Sequence, residues 1–246
     1  MVTPLRDSAA SAENRLLAAL PKAEHDRLVP YMTGVTFGRG EVVYQSGAPI
    51  DAVYFPDAGV FSVVVAMENG AVVEVGTVGR EGLLGVPAVL GADRAPVRVF
   101  CQVPPGRARR LPVRVFRERA REGGQLPTLA GRYAQAFLNQ VSQTAACNRL
   151  HRVDRRLARC LLMAHDRAGT DVLPLTQEFL AQMLGVRRAS VTEAALSLQR
   201  GGLIGYGRGR VTVLDRDGLE AAACECYRTV RDEFDGLLAR PARRGE

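Results

Sequence analysis

The sequence predicts an α+β fold in three parts: an N-terminal antiparallel β-roll of the double-stranded β-helix or jelly-roll type, one long helix, and a C-terminal winged helix-turn-helix. Three observations predict it. Residues 35–111 hold short β-prone runs punctuated by glycines, residues 126–148 carry an apolar stripe at three-to-four spacing, and residues 175–214 read as two short helices followed by a tight hairpin. The parts divide the chain at 1–125, 126–152 and 153–238. An Arg-rich tail, 239–246, is expected to be disordered.

After a helical opening around 12–29, the β-prone runs fall at 35–37, 42–44, 52–55, 61–65, 72–78, 97–103 and 108–111. Gly38, Gly40, Gly47, Gly59, Gly79 and Gly82 separate them, and Asn69-Gly70 joins two alternating runs, a strong hairpin signal. Regular short strands with turn glycines imply an antiparallel roll or sandwich.

The long helix accepts Pro127 in its first turn. Leu129, Tyr133, Phe137, Val141 and Ala145 continue the stripe that Leu126 begins, and Leu138 widens it. A stripe of this length between two domains is expected to form a homodimer interface, the other use being packing within its own chain.

In the C-terminal part Thr176 is a good N-cap, with Phe179, Leu180, Met183 and Leu184 apolar behind it and Gly185 supplying the turn. Val186, Val191, Ala194, Ala195 and Leu198 form the buried stripe of the second helix. Arg187, Arg188, Ser190 and Glu193 are then left pointing outward, as in a helix that enters a DNA major groove. The runs around 203–206 and 210–214 flank Gly207-Arg208-Gly209 as the hairpin of a wing.

Composition agrees with a polyanionic partner: the 246 residues carry a net charge of +7, and Lys22 is the single lysine among 33 basic residues. No apolar run is long enough to span a membrane and no signal peptide opens the chain, so a cytoplasmic protein is expected. Cys101, Cys147, Cys160, Cys224 and Cys226 form no Cys-x-x-Cys pair. Cys224 and Cys226 fall on an expected helix, 219–238, where positions two apart face different ways. Metal ligation there would need donors from elsewhere, and His25, His151 and His165 are the only histidines. Structural thiols, with no metal and no identified cofactor, are therefore the expectation.

The order of roll, long helix and winged helix-turn-helix resembles the Crp/Fnr family of bacterial transcription regulators. In the roll the resemblance rests on Phe37, Gly40-Glu41, Gly47, Asp51, Val53-Tyr54-Phe55 and Gly59. In the C-terminal part it rests on Leu175-Thr176, Gln182, Gly185, Arg188, Ser190, Val191 and Leu203-Ile204. The resemblance implies a homodimer reading a near-palindromic site on double-stranded DNA, with a roll that senses a signal. An activator of this kind would also touch RNA polymerase, and no residue pattern identifies that patch.

Cyclic-AMP binders of the family hold the ribose with a Gly-Glu pair and the phosphate with an Arg-Ser pair. Here Gly85 is followed by Val86, which accepts no hydrogen bond, and Arg94 is followed by Ala95. On the long helix Val141-Ser142 stands for the family's Thr-Ser pair, so Ser142 alone survives. Each lost buried partner is worth about 1–3 kcal/mol. Cyclic AMP is not the expected effector, and the small molecule that replaces it is unknown.

The recognition helix also departs from the best-known members. Arg188 is expected to read a base, most naturally guanine, with Ala189 against a thymine methyl, Glu193 toward cytosine and Arg187 beside them. Thr176, Gln177, Ser190, Arg208 and Arg210 are candidate phosphate contacts. No nucleophile–base pair or phosphate loop suggests an enzyme, since Gly79-Arg80-Glu81-Gly82 lacks the Lys-Ser of a phosphate loop. The alternative is a regulatory or scaffold protein with a cyclic-nucleotide-binding-like roll that acts through protein partners. Such a protein would need neither the wing nor the recognition helix.

Overall fold

A computed structural model of the chain describes residues 3–4 and 14–238. The tail at 239–246 and the first residues of the expected opening helix lie outside the described residues. The roll begins with strand β1 (Thr3–Pro4), helices α1 (Arg15–Ala18) and α2 (Lys22–Leu28), and strands β2 (Thr33–Phe37) and β3 (Val42–Tyr44). Two long strands follow, β4 (Ala52–Ala66) and β6 (Arg98–Pro112), separated by β5 (Val72–Val78) and the short α3 (Val86–Val89). Their order in the sheet is β1-β2-β6-β4-β5, with β3 pairing β6, and every pairing is antiparallel.

Four of the expected runs are thus two strands. The runs at 52–55 and 61–65 are one bent β4, and those at 97–103 and 108–111 are one bent β6. Gly59 reads as a break in the sequence, but it sits at a bulge where the β4–β6 register shifts. Its φ is +84°, and a Cβ there would lie 2.7 Å from the Pro105 carbonyl oxygen, so the strands can cross this closely only over a glycine. The Asn69-Gly70 hairpin forms as expected, with Ala66 opposite Val72 and the Asn69 side chain accepting from Ala71 N–H at 3.0 Å.

Helix α4 (Val113–Arg121) leads to α5 (Gln125–Leu150), the expected long helix, and α6 (Val153–Ala168) turns back beneath it. Strand β7 (Val172–Leu173) precedes α7 (Gln177–Leu184) and α8 (Arg188–Arg200), joined through Gly185 at φ +61°. Strands β8 (Ile204–Gly207) and β9 (Arg210–Val213) form the wing, and β7 adds a third strand to it. Helices α9 (Arg216–Ala222) and α10 (Cys226–Leu238) close the chain. The single helix expected over 219–238 is therefore two, because Ala223 is extended (φ −71°, ψ 165°) and Asp215 caps a separate α9.

Long helix α5 is buried along more of its circumference than one stripe would require. Leu129 and Tyr133 lie in the chain's own core, and Tyr133 fits over Gly82, where a Cβ would approach its ring to 2.3 Å. Phe234 of α10 covers the other side of Tyr133 at 5.9 Å between ring centroids. These two residues are unavailable to a second subunit, since periodicity identifies a buried face without identifying what buries it. Phe137 and Val141 are half-buried, and Ala145 is exposed. No described helix is long and apolar enough to cross a membrane.

A buried polar network ties the parts together. Arg167 on α6 pairs with Glu81 of the roll at 2.7 Å and donates to Gln140 on α5 at 3.0 Å. Gln140 in turn donates to the Thr77 carbonyl at 3.1 Å. Helix α7 also lies against β4–β6: Phe179 meets Phe100 edge-to-face at 6.2 Å, and Met183 packs with Val64. Glu74 of β5 sits in this contact, taking a hydrogen bond from Ser62. Burial pushes its carboxyl up to about 7, a rise only partly opposed by Ser62, Arg159 and Arg167.

Candidate nucleic-acid interface and sensor cavity

The recognition unit is built from local rules. Thr176 caps α7 by accepting from Phe179 N–H at 3.2 Å. Leu180, Met183, Leu184, Val191, Ala194, Ala195 and Leu198 are buried between the two helices and their neighbours. That burial turns Arg187, Arg188, Ala189 and Glu193 to solvent, with Ser190 half-buried. Gln177 accepts from the Thr192 hydroxyl at 3.0 Å, so it braces α8.

Arg208 and Gly209 form the two-residue wing turn, with φ of +51° and +72°, between paired Gly207 and Arg210. The turn lies beside the α7 N-terminus: a Cβ on Gly209 would stand 3.2 Å from the Thr176 methyl. Arg188 is near enough to Tyr206 of β8 for its charge to oppose the rise that burial gives that phenol. Thus the start of α8, the start of α7 and the wing share one face. Among the described residues no ion pair or hydrogen bond engages the guanidinium groups of Arg187, Arg188, Arg208 or Arg210. A face with four uncommitted guanidiniums and a helix N-terminus suits a phosphate backbone.

The roll encloses a cavity of about 460 Å³ between its sheet, α3 and α5. Gly85, Val86 and Ala95 line it, as the sequence suggested, together with Val63, Val99 and Val141. Arg94 and Ser142 do not line it. Arg94 is exposed and donates outward to the Gly47 carbonyl at 2.7 Å, and Ser142 lies on the exposed side of α5, one position past the cavity-facing Val141. Every lining side chain is hydrocarbon except Tyr44, whose hydroxyl already donates to the Ala52 carbonyl at 2.6 Å. Leu90 and Leu138, both largely exposed, stand at the mouth. The size is that of a small-molecule site, but no charged side chain lines the wall to answer a cyclic phosphate, and no carboxylate to answer a ribose hydroxyl.

Sequence reasoning missed a third feature. Cys147, His151, Cys224 and Cys226 converge, with one donor atom from each lying within 4.8 Å of all the others. The spacing Cys147-x-x-x-His151 was a usable signal, since residues four apart share one face of α5. The break between α9 and α10 was not legible, and it is what lets Cys224 and Cys226 turn the same way.

Residues 34–122 match the model of a cyclic nucleotide-binding domain, and residues 155–222 match that of a Crp-like helix-turn-helix domain. No curated protein matches the sequence. Among solved structures the chain is similar to a protein of Eubacterium rectale assigned to the Crp/Fnr regulators, at 17% identity and a TM-score of 0.67, covering 85% of this chain and 99% of that one. It is also similar to a CRP-family regulator, TTHB099, of Thermus thermophilus (22% identity, TM-score 0.63, 76% and 95% covered). A third is FixK2 of Bradyrhizobium japonicum (15% identity, TM-score 0.65, 78% and 98% covered). At these identities the structures speak for the fold, and the two domain models speak for the family. With a cyclic-nucleotide-binding domain and a Crp-like helix-turn-helix in this order, the chain belongs to the Crp/Fnr family of transcriptional regulators.

Proposed function

We propose that the chain works as a homodimer that reads a near-palindromic duplex through the start of α8, and that its roll answers to something other than cyclic AMP. One observation supports the DNA reading above the others: Arg187, Arg188, Arg208 and Arg210 hold their charges free on one face. Arg188 is the base reader, with Arg187, Ala189 and Glu193 beside it. Thr176, Gln177, Ser190, Arg208 and Arg210 position the backbone. The exposed side of α5, with Leu138, Ser142, Ala145 and Ala146, is the surface a second copy would cover, in place of the buried Leu129 and Tyr133.

A wall that is hydrocarbon but for the committed Tyr44 hydroxyl favours an uncharged apolar effector. An anionic nucleotide would lose its hydration there with no partner gained. Duplex binding measured across salt concentrations tests the first reading. A log–log slope of about −0.9 per neutralised phosphate is expected, and salt-independent or absent binding would favour a scaffold that acts through protein partners. Thermal unfolding with and without millimolar cyclic AMP tests the second. No shift is expected, and a rise of several degrees would show that the roll still holds the nucleotide.

A further inference from the structure

Helix α5 ends at Leu150, and the chain turns at His151 to enter α6, passing from the sensor half to the DNA-binding half. At this turn the end of α5 meets the break between α9 and α10. Cys147 Sγ lies 3.6 Å from Cys224 Sγ, and Cys226 Sγ lies 3.4 Å from His151 Nδ1. Bonds of about 2.3 Å to sulfur place tetrahedral ligand atoms about 3.8 Å apart, close to both separations. Two of the six donor separations already match those that one small ion imposes, and all six lie within 4.8 Å.

We propose that Cys147, His151, Cys224 and Cys226 form a mononuclear, tetrahedral site for a thiophilic divalent cation of the zinc type, a staple between the two halves of the regulator. The surroundings are those of a built site. His151 presents Nδ1 inward while Nε2 lies 3.2 Å from the Glu225 carboxylate, the outer contact that fixes the ring and its tautomer. Gln143 donates its amide N–H to Cys226 Sγ at 3.0 Å. The three sulfurs are buried, and the partly exposed imidazole leaves a way in for the ion.

On binding, three S–H bonds give way to three metal–sulfur bonds and the protons leave to solvent. No electron moves. Three thiolates and a neutral imidazole around a dication carry a net charge of −1, and the guanidiniums of Arg156 and Arg159 are close enough to interact with Cys147. An iron–sulfur cluster spreads its ligands over two or more irons and holds those on different irons much farther apart than the 4.8 Å that spans all four donors here, so a single ion fits this geometry better.

The test is a titration of the reduced, chelator-treated full-length protein with cobalt(II), followed by displacement with zinc(II). One ion per chain is expected, with the ligand-field and sulfur-to-metal bands of a tetrahedral thiolate site that zinc abolishes, and a thermal midpoint raised by several degrees. Cys226→Ser should lose those bands, whereas Cys101→Ser should keep them. Gln143→Ala should weaken binding about tenfold. His151→Cys should keep four-coordinate binding with an altered spectrum, which separates lost ligation from lost folding. The proposal is overturned if the reduced wild-type protein gives no tetrahedral spectrum, or if the bands persist in both Cys147→Ser and Cys226→Ser. It is equally overturned if the protein takes up iron and sulfide as a cluster.

Discussion

The α8 face and the roll cavity treat polar chemistry in opposite ways. At α8 the arginines stand in water, where holding a charge ready costs little and a polyanion can collect it. In the roll a space large enough for a nucleotide is walled by valine, leucine, alanine and proline. The space is open, but its wall carries no charged side chain. Within one family fold, the outward chemistry and the inward chemistry can therefore change independently. The exterior needs only that side chains point out, whereas a buried polar site needs every partner in place.

The largest effect that would sharpen this contrast comes from putting a charge back into the cavity. Val86→Glu places a carboxylate at a buried position with no donor facing it, and should lower the unfolding free energy by about 3 kcal/mol. Glu193→Gln, on exposed α8, should stay within about 0.5 kcal/mol of the parent. Urea unfolding measures both. A Val86→Glu protein as stable as its parent would mean that the cavity is wet enough to hold a charge, and the contrast would fail.

At the other region, Arg188→Ala should cost about 1–3 kcal/mol on the specific duplex and relax preference at one base pair in each half-site. Competition with random DNA is the measurement. Equal loss on both would make Arg188 a phosphate contact and leave base reading to its neighbours.

The two regions also differed in how legible they were. The helix-turn-helix is local: Thr176, Gly185 and a period of apolar residues determine it within some 25 positions, and the wing turn follows from Gly207-Arg208-Gly209. The roll is not local. Gly59 looks like a strand end and is a bulge inside a long strand, because the demand for glycine comes from Pro105 across the sheet. Arg94 sits next to a cavity residue in sequence and points the other way. Tyr133 belongs to an apolar stripe whose partner, Gly82, lies far off in the chain. The cysteine cluster depends on a helix break at Ala223 that no glycine or proline marks.

A smaller effect concerns the contact that joins the two regions. Glu74 of β5 faces Ser62 of β4, Met183 of α7, and Arg159 and Arg167 of α6. Its folded value, about 7, lies above the ordinary 4.5, so between these values the folded state keeps a proton that the unfolded chain has released. Stability is then greatest below about 4.5 and falls as pH rises through 7. The expected loss is about 2 kcal/mol, read as the unfolding midpoint between about pH 5 and 8, and Glu74→Gln should flatten it. An unchanged slope in that variant would place the pH dependence elsewhere.

The smallest effect separates charge placed for position from charge placed for reading. Arg208 occupies the wing turn at φ +51°, where alanine would add backbone strain to the loss of charge. Asparagine tolerates that conformation, so Arg208→Asn removes the charge and leaves the turn intact. Specific and random duplexes should both bind only a few-fold more weakly, with the salt slope reduced by about one for each phosphate released. The base preference measured for Arg188→Ala should not reappear. If Arg208→Asn altered preference instead, the wing would be inserting into a groove, and sequence reading would be shared between α8 and the hairpin beside it.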